Sequence, residues 1–267
     1  MIAEQMSNKP VQENLNVLPD IEVDEKEYLR LLGYPREYRL TGRSKELAEW
    51  SRDWYSRHGH PWVYRTFPVA VDVRGGTVQI DRTILTSQRV ADLLREAEAD
   101  EAVLVAVSAG SECETTARTL WEEQKPDEYY FLEMYGSAVV EHLITRAGFS
   151  LCDAYEKTDS TVLPHYSPGY PDWGIADQQA MWNLIAKTAP KGLQEKLTVL
   201  ETGMLRPKKS LLALFGITKH KEKVRKLVSL IPCNNCSLAG CIYRRSPYTY
   251  VLPEADRVSV FQSRKVS

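Results

Sequence analysis

The sequence predicts an α+β fold, and three observations carry that prediction. Two amphipathic helical patterns precede any strand pattern, and paired glycines then mark a hairpin. An unbroken apolar strand follows, succeeded by a helix and further strands, with no regular strand–helix–strand alternation. The chain has 267 residues, above the ~100–200 usual for one domain, so one large domain or two modest ones fit. Hydrophobic residues make up 43% and charged residues 26%, the balance of a chain that buries a core. Lys and Arg number 34 against 36 Asp and Glu, a net charge of -2, so no global field draws the chain to nucleic acid or an anionic membrane. The apolar runs fall well short of the ~20 residues of a membrane span, and the first ten residues lack the basic start and apolar core of a secretory signal. The expectation is a cytoplasmic protein with no nucleic-acid and no membrane partner.

Along the chain, residues 1–22 are rich in Asn, Gln, Glu and Lys without apolar periodicity and read as a disordered tail. Residues 23–230 read as the folded body, and residues 231–267 as a cysteine-containing extension. Asp24 and Glu27 suit a capping-box-like start, with Tyr28, Leu29 and Leu32 as the buried stripe and Gly33 as the stop. A second helix starts near Ser44 with Leu47, Trp50 and Trp54 at helical spacing, and Pro61 bars continuation. Val69, Val71 and Val73 then alternate into Arg74-Gly75-Gly76-Thr77, with Val78 and Ile80 beyond, which is a hairpin signal. Ser87 opens a helix with Val90, Leu93, Leu94 and Ala97 on one face, and Ala102–Val107 is a buried strand ending in Ser108-Ala109-Gly110-Ser111. That loop lacks the lysine and glycine spacing of a phosphate loop. A long helix is predicted over Phe131–Arg146, with Leu132, Tyr135, Gly136, Val139 and Leu143 as its stripe. Gly136 and Ser137 inside it predict close approach by another element, since glycine otherwise costs about 1 kcal/mol there. A helix over Ile175–Lys187 and strands near 197–204 and 210–217 complete the order.

Three stretches carry chemistry. In the loop Leu163–Trp173, Pro168 fixes φ, Gly169 admits a backbone that other residues resist, and Tyr170 offers a ring and a hydroxyl. Such a loop suits a small molecule lying against the main chain, or simply packs its tyrosines. From Arg206 to Lys226 there are eight basic residues against Glu222 alone, a local excess of +7, either a docking patch or a solvated face. Finally, Cys233 and Cys236 form a C-x2-C pair to which Cys241 can return a third thiolate. That set suits zinc or an iron–sulfur cluster completed from elsewhere by Cys152, Cys113 or His220, or reduced structural thiols.

Taken in order, Tyr28-Leu29-Arg30-Leu31-Leu32-Gly33-Tyr34, Ala102–Ser111, Gly136-Ser137-Ala138-Val139-Val140-Glu141, Ser167-Pro168-Gly169-Tyr170-Pro171-Asp172-Trp173 and Leu205-Arg206-Pro207-Lys208-Lys209-Ser210 resemble the activation (reactivation) domain of cobalamin-dependent methionine synthase and its stand-alone relatives. The resemblance implies a mostly antiparallel sheet with flanking helices that binds S-adenosylmethionine and docks over a cobalamin held by a neighbouring domain. It implies support of reductive methylation, which rescues cobalamin from its oxidised, inactive state. Pro168, Gly169 and Tyr170 match the family's Pro-Gly-Tyr; His165 stands where the family has an arginine four residues before the glycine; and Glu141 aligns with the acidic residue suited to the ligand's ammonium. An imidazole makes at most one of the two parallel bonds a guanidinium offers a carboxylate. The family's tyrosine pair after the Pro-x-x-Ser strand is replaced by a basic run from Lys219 to Lys226.

The expected role is therefore an accessory of corrinoid methyl transfer acting in trans, methyltransferase-associated if active. Its partners would be a corrinoid-carrying methionine synthase or corrinoid protein and an external reductant, because the chain shows neither a dinucleotide-binding signature nor a cobalamin-ligating motif. Two rivals stand beside it. One is an iron–sulfur redox protein feeding an electron to a corrinoid protein; the other is a docking module that has lost S-adenosylmethionine.

Overall fold

The structure is a computed structural model and describes residues 21–35 and 38–227. Helix α1 (Glu25–Leu31) starts where expected: the Asp24 side chain accepts from the Lys26 amide, and Gly33 ends the turn at φ +83°. Tyr28, Leu29 and Leu32 are buried, but Glu27 bonds Arg30 within the helix. Helix α2 (Gly42–His58) buries Leu47, Ala48, Ser51 and Tyr55. Trp50 and Trp54 flank that stripe half-buried, so the helix is rotated toward its smaller residues relative to the expected face.

Strand β1 (Trp62–Arg65) and β2 (Val69–Ala70) come next, then β3 (Asp72–Arg74), β4 (Thr77–Ile80) and β5 (Thr83–Thr86). The hairpin forms at the paired glycines, with Arg74 opposite Thr77 and Gly75 at φ +57°. Val69 belongs elsewhere: β2 pairs with the main sheet, so the alternating valines cross from one sheet to another. Strand β5, which the sequence reading lacked, completes the three-stranded sheet β3-β4-β5. Helix α3 (Gln88–Glu96) is capped by Ser87 and buries Val90 and Leu94.

Strand β6 (Glu101–Ser108) is the centre of the main sheet, followed by α4 (Ser111–Glu122) and the 31-residue α5 (Pro126–Glu156). Beyond them lie β7 (Thr161–Val162), α6 (Asp177–Ala186), α7 (Lys191–Gln194), β8 (Thr198–Val199), β9 (Leu205–Arg206), β10 (Ser210–Thr218) and α8 (Lys221–Leu227). The main sheet runs β1-β6-β10-β7 with β2 beside β6, and every pairing in it is antiparallel. The fold is thus α+β, a mostly antiparallel sheet with helices on both faces.

Strand alternation divides the core in two. Val103, Val105 and Val107 of β6, with Ala213, Phe215 and Ile217 of β10, face the layer of α1, α2, α4 and α5. Ala102, Leu104 and Ala106, with Leu212 and Leu214, face α3, α6 and the smaller sheet. Because both faces are covered, these strands read as near-continuous apolar runs. The close approach expected at Gly136 is present: a methyl there would lie 2.8 Å from Cys113 Sγ and 3.2 Å from Lys209 Cγ.

Candidate functional site

The loop Leu163–Trp173 begins as an edge strand. The Leu163 amide donates to the Gly216 carbonyl at 2.8 Å, and Tyr166 exchanges two backbone bonds with Leu214. Past Tyr166 the chain turns sharply, with Tyr170 N bonded to Ser167 O at 3.0 Å and Gly169 N to Trp173 O at 2.9 Å. Gly169 holds φ +96°, a conformation that costs other residues strain. The Pro168 carbonyl accepts from Gln178 Nε2 at 3.3 Å, which ties the turn to α6.

Aromatic packing and one carboxylate make this loop rigid. The buried Tyr166 and Trp173 rings stack at 6.4 Å, and Tyr166 donates to the Pro171 carbonyl at 2.7 Å. Asp177 Oδ2 accepts from Trp173 Nε1 at 2.8 Å and from the Thr86 amide at 2.6 Å, while Ser87 Oγ donates to Asp172 O at 2.9 Å. The loop is therefore pinned to α6 and to the corner between β5 and α3.

His165 points to the other face of the sheet. Its ring lies 5.6 Å from that of Phe215, and its Nε2 is 3.2 Å from the half-buried Tyr170 hydroxyl. Phe215 in turn touches α5, since a methyl at Gly148 would lie 3.2 Å from its ring. At the start of β10, Lys209 Nζ donates to Ser137 Oγ at 2.8 Å. Ser137, Glu141 and Gly148 are spaced four and seven apart, hence on one face of α5. That face runs along β10 from Lys209 to Phe215. Glu141, half-buried, lies between Ser137 and Gly148 along α5.

The structure thus brings His165 and Tyr170 into contact and sets Pro168 and Gly169 in the turn that carries Tyr170, while Glu141 is a half-buried residue of α5. Cys233, Cys236 and Cys241 lie outside the described residues. Among the described residues Cys113 is buried and Cys152 exposed, and no group of three or more His, Cys, Asp or Glu is placed to hold a metal.

Sequence reasoning missed Glu133. It is almost fully buried on α5, with Lys208 Nζ 2.8 Å from one carboxylate oxygen and Lys209 Nζ 3.2 Å from the other. Burial is the largest single effect on the Lys208 ammonium and lowers its pKa, but the hydrogen bond and charge of Glu133, with Tyr129 and Glu114 nearby, together outweigh it and the net shift is upward. The available signal was a carboxylate next to the apolar stripe, one turn before Ser137. Other members of the basic run are paired as well: Lys221 pairs with Asp159 at 3.4 Å, and Lys223 and His220 both reach Glu98.

No family model matches the sequence, and no curated protein matches it. The fold is similar to that in the crystal structure of the MetH reactivation domain bound to AdoHcy, with a TM-score of 0.55 and 12% identity over 91% of this chain and 81% of that one. At that identity the likeness is one of fold. Among the described residues, no helix is long and apolar enough to cross a membrane.

Proposed function

We propose that the chain binds S-adenosylmethionine at the 163–173 loop, with α5 supplying Glu141. It would serve, in trans, the reductive methylation of a corrinoid carried by a partner methionine synthase or corrinoid protein. The observation that carries this reading is the Gly169 turn with its His165–Tyr170 pair, in a fold like that of a domain solved with AdoHcy.

The residues present fit such a ligand. A methyl built at Gly169 would meet nothing within 4 Å, so bare main chain faces open space. Directly around the turn, Ser167 Oγ and Gln178 Oε1 are buried without a hydrogen-bond partner among the described residues. Buried polar atoms are rarely left so, and these two retain capacity for a ligand-linked water or the ligand itself. Tyr170 offers an aromatic face to a planar base, and the His165 ring can make one polar bond. Glu141 supplies the negative charge that an amino-acid ammonium or a sulfonium requires. When bound, S-adenosylmethionine supplies a methyl group on positively charged sulfur and leaves as S-adenosylhomocysteine. The electron comes from an external reductant, and the chain's own residues bind and orient.

The test is reconstitution of the full chain with an oxidised corrinoid protein, a low-potential electron donor and methyl-labelled S-adenosylmethionine. The proposal expects label on the corrinoid only when the chain is present. Retained binding of the corrinoid protein without label transfer would instead identify a docking module, the reading that His165 in place of an arginine favours.

A further inference from the structure

From the two hydrogen bonds on one peptide of the loop, we infer that Gln178 is a positioning residue of the 163–173 site. Its side-chain amide locks the Pro168–Gly169 peptide in the one orientation that presents the turn to its ligand. This rests on the reading that the loop takes S-adenosylmethionine, and it adds to that site a side chain of α6.

Ser167 to Tyr170 form a β-turn, closed by the Tyr170 amide donating to the Ser167 carbonyl at 3.0 Å. Proline in its second place and glycine at φ +96° in its third make it a type II turn. The same pair of residues also suits a type I turn, because glycine takes either sign of φ. The two types differ by a half-rotation of the central peptide, which reverses both the Pro168 carbonyl and the Gly169 amide. The bond that closes the turn is common to both and chooses neither.

The choice is made from outside the turn. The Pro168 carbonyl accepts from Gln178 Nε2 at 3.3 Å, and the Gly169 amide donates to the Trp173 carbonyl at 2.9 Å. Among the described residues, Gln178 is the one side chain bonded to that central peptide. It is 5% exposed and stands in the first turn of α6 beside Asp177, whose carboxylate holds the Trp173 indole at 2.8 Å. Neighbouring residues of one helix thus hold both ends of the peptide, one directly and one through Trp173. Ser167 and Pro168 are buried and Gly169 is exposed, so the lock works from the buried side and aims Gly169 outward.

Packing does not account for this side chain. Gln178 Oε1 is buried without a hydrogen-bond partner among the described residues, a cost that an apolar residue of like size avoids. Methionine at this place would exchange that unpaired oxygen for an unpaired Pro168 carbonyl, so stability changes little. What it removes is the choice of orientation. A ligand that needs one orientation then binds in proportion to its population.

The experiment compares the full chain with Gln178→Met and Gln178→Glu by thermal unfolding, amide hydrogen exchange at Gly169 read by NMR, and calorimetric titration with S-adenosylmethionine. In Gln178→Met, Tm should stay within a few degrees, while the Gly169 amide exchanges at least about tenfold faster and affinity falls about five- to tenfold. Gln178→Glu is isosteric but donates to the Pro168 carbonyl only when protonated. Its affinity relative to the unsubstituted chain should therefore recover as pH falls from about 8 to about 5, a profile that a space-filling side chain does not produce. Should Gln178→Met fail to fold, the Gln178→Glu series carries the test. Unchanged exchange and affinity in Gln178→Met, or a Gln178→Glu affinity ratio that ignores pH, overturns the role of Gln178 while the site reading stands. Faster Gly169 exchange in Gln178→Met, with no binding of S-adenosylmethionine by the unsubstituted chain, upholds the lock and overturns the ligand reading.

Discussion

Gly136 sets two known effects against each other. Replacing a mid-helix glycine with alanine ordinarily gains about 1 kcal/mol. Here the added methyl would meet Cys113 Sγ at 2.8 Å and the Lys209 stem at 3.2 Å, and overpacking of this kind costs about 1–3 kcal/mol. Gly136→Ala should therefore lose about 1 kcal/mol on balance, read as a fall of a few degrees in Tm; a rise would show that the contact relaxes freely. The partner thiol gives a second prediction. Burial pushes Cys113 up to about 12, and only thiolates are nucleophilic. Iodoacetamide at pH near 8 should label the exposed Cys152 in the native protein and reach Cys113 only after unfolding, as mass spectrometry would show. Glycine and serine in an apolar stripe made the close approach legible in the sequence. What approaches was not legible, because Lys209 arrives from a distant strand.

Helix α5 shows the same division at the scale of an element. Its middle was legible from the stripe of Leu132, Tyr135, Val139 and Leu143, whereas the helix runs from Pro126 to Glu156. Pro126 is a favoured first helical residue, while the last turns carry Gly148 and Ser150, which weaken the pattern without breaking the helix. Strand β5 escaped notice for the opposite reason: Ile84 is exposed and the adjacent Leu85 buried, so two neighbouring apolar residues conceal the alternation. The loop's rigidity was legible from Pro168 and Gly169. Its pairing with Leu214 was not, since edge pairing is a long-range fact. The element also carries a stability prediction. Glu133 is the single carboxylate shared by two lysines, and breaking a buried pair by removing one partner costs about 3–5 kcal/mol. Lys208 is partly solvated, so Glu133→Ala should cost about 3 kcal/mol, near the lower end of that range. Urea denaturation checks it, and a loss below about 1 kcal/mol, as for surface pairs, would refute it.

Over the whole molecule, two cores sit on opposite faces of one sheet, and the face under α5 holds several groups that burial keeps protonated. Cys113 is raised from 9.0 to about 12 and Tyr155 from 10.0 to about 12, while Tyr28 and Tyr55 are pushed higher still. Unfolding releases these groups to ordinary values, so above pH 9–10 the unfolded chain binds fewer protons than the folded one. Their stabilisation is whole below that window and is lost as pH rises toward 12. Thermal unfolding should therefore show a flat Tm from neutral pH to about 9 and a steepening fall beyond it; an unchanged Tm up to pH 11 would contradict the burial of these groups. The basic run from Arg206 to Lys226 was visible in composition, yet its meaning was not. Its counter-charges, Glu133, Asp159 and Glu98, come from other parts of the chain, so much of what reads locally as a docking patch is neutralised by tertiary pairing. Calorimetric titration with S-adenosylmethionine, run beside His165→Ala, tests the methyl-donor site. Saturable binding is expected, weakened about three- to tenfold by the loss of one polar contact in the variant. Neither heat nor thermal shift at millimolar ligand would contradict it.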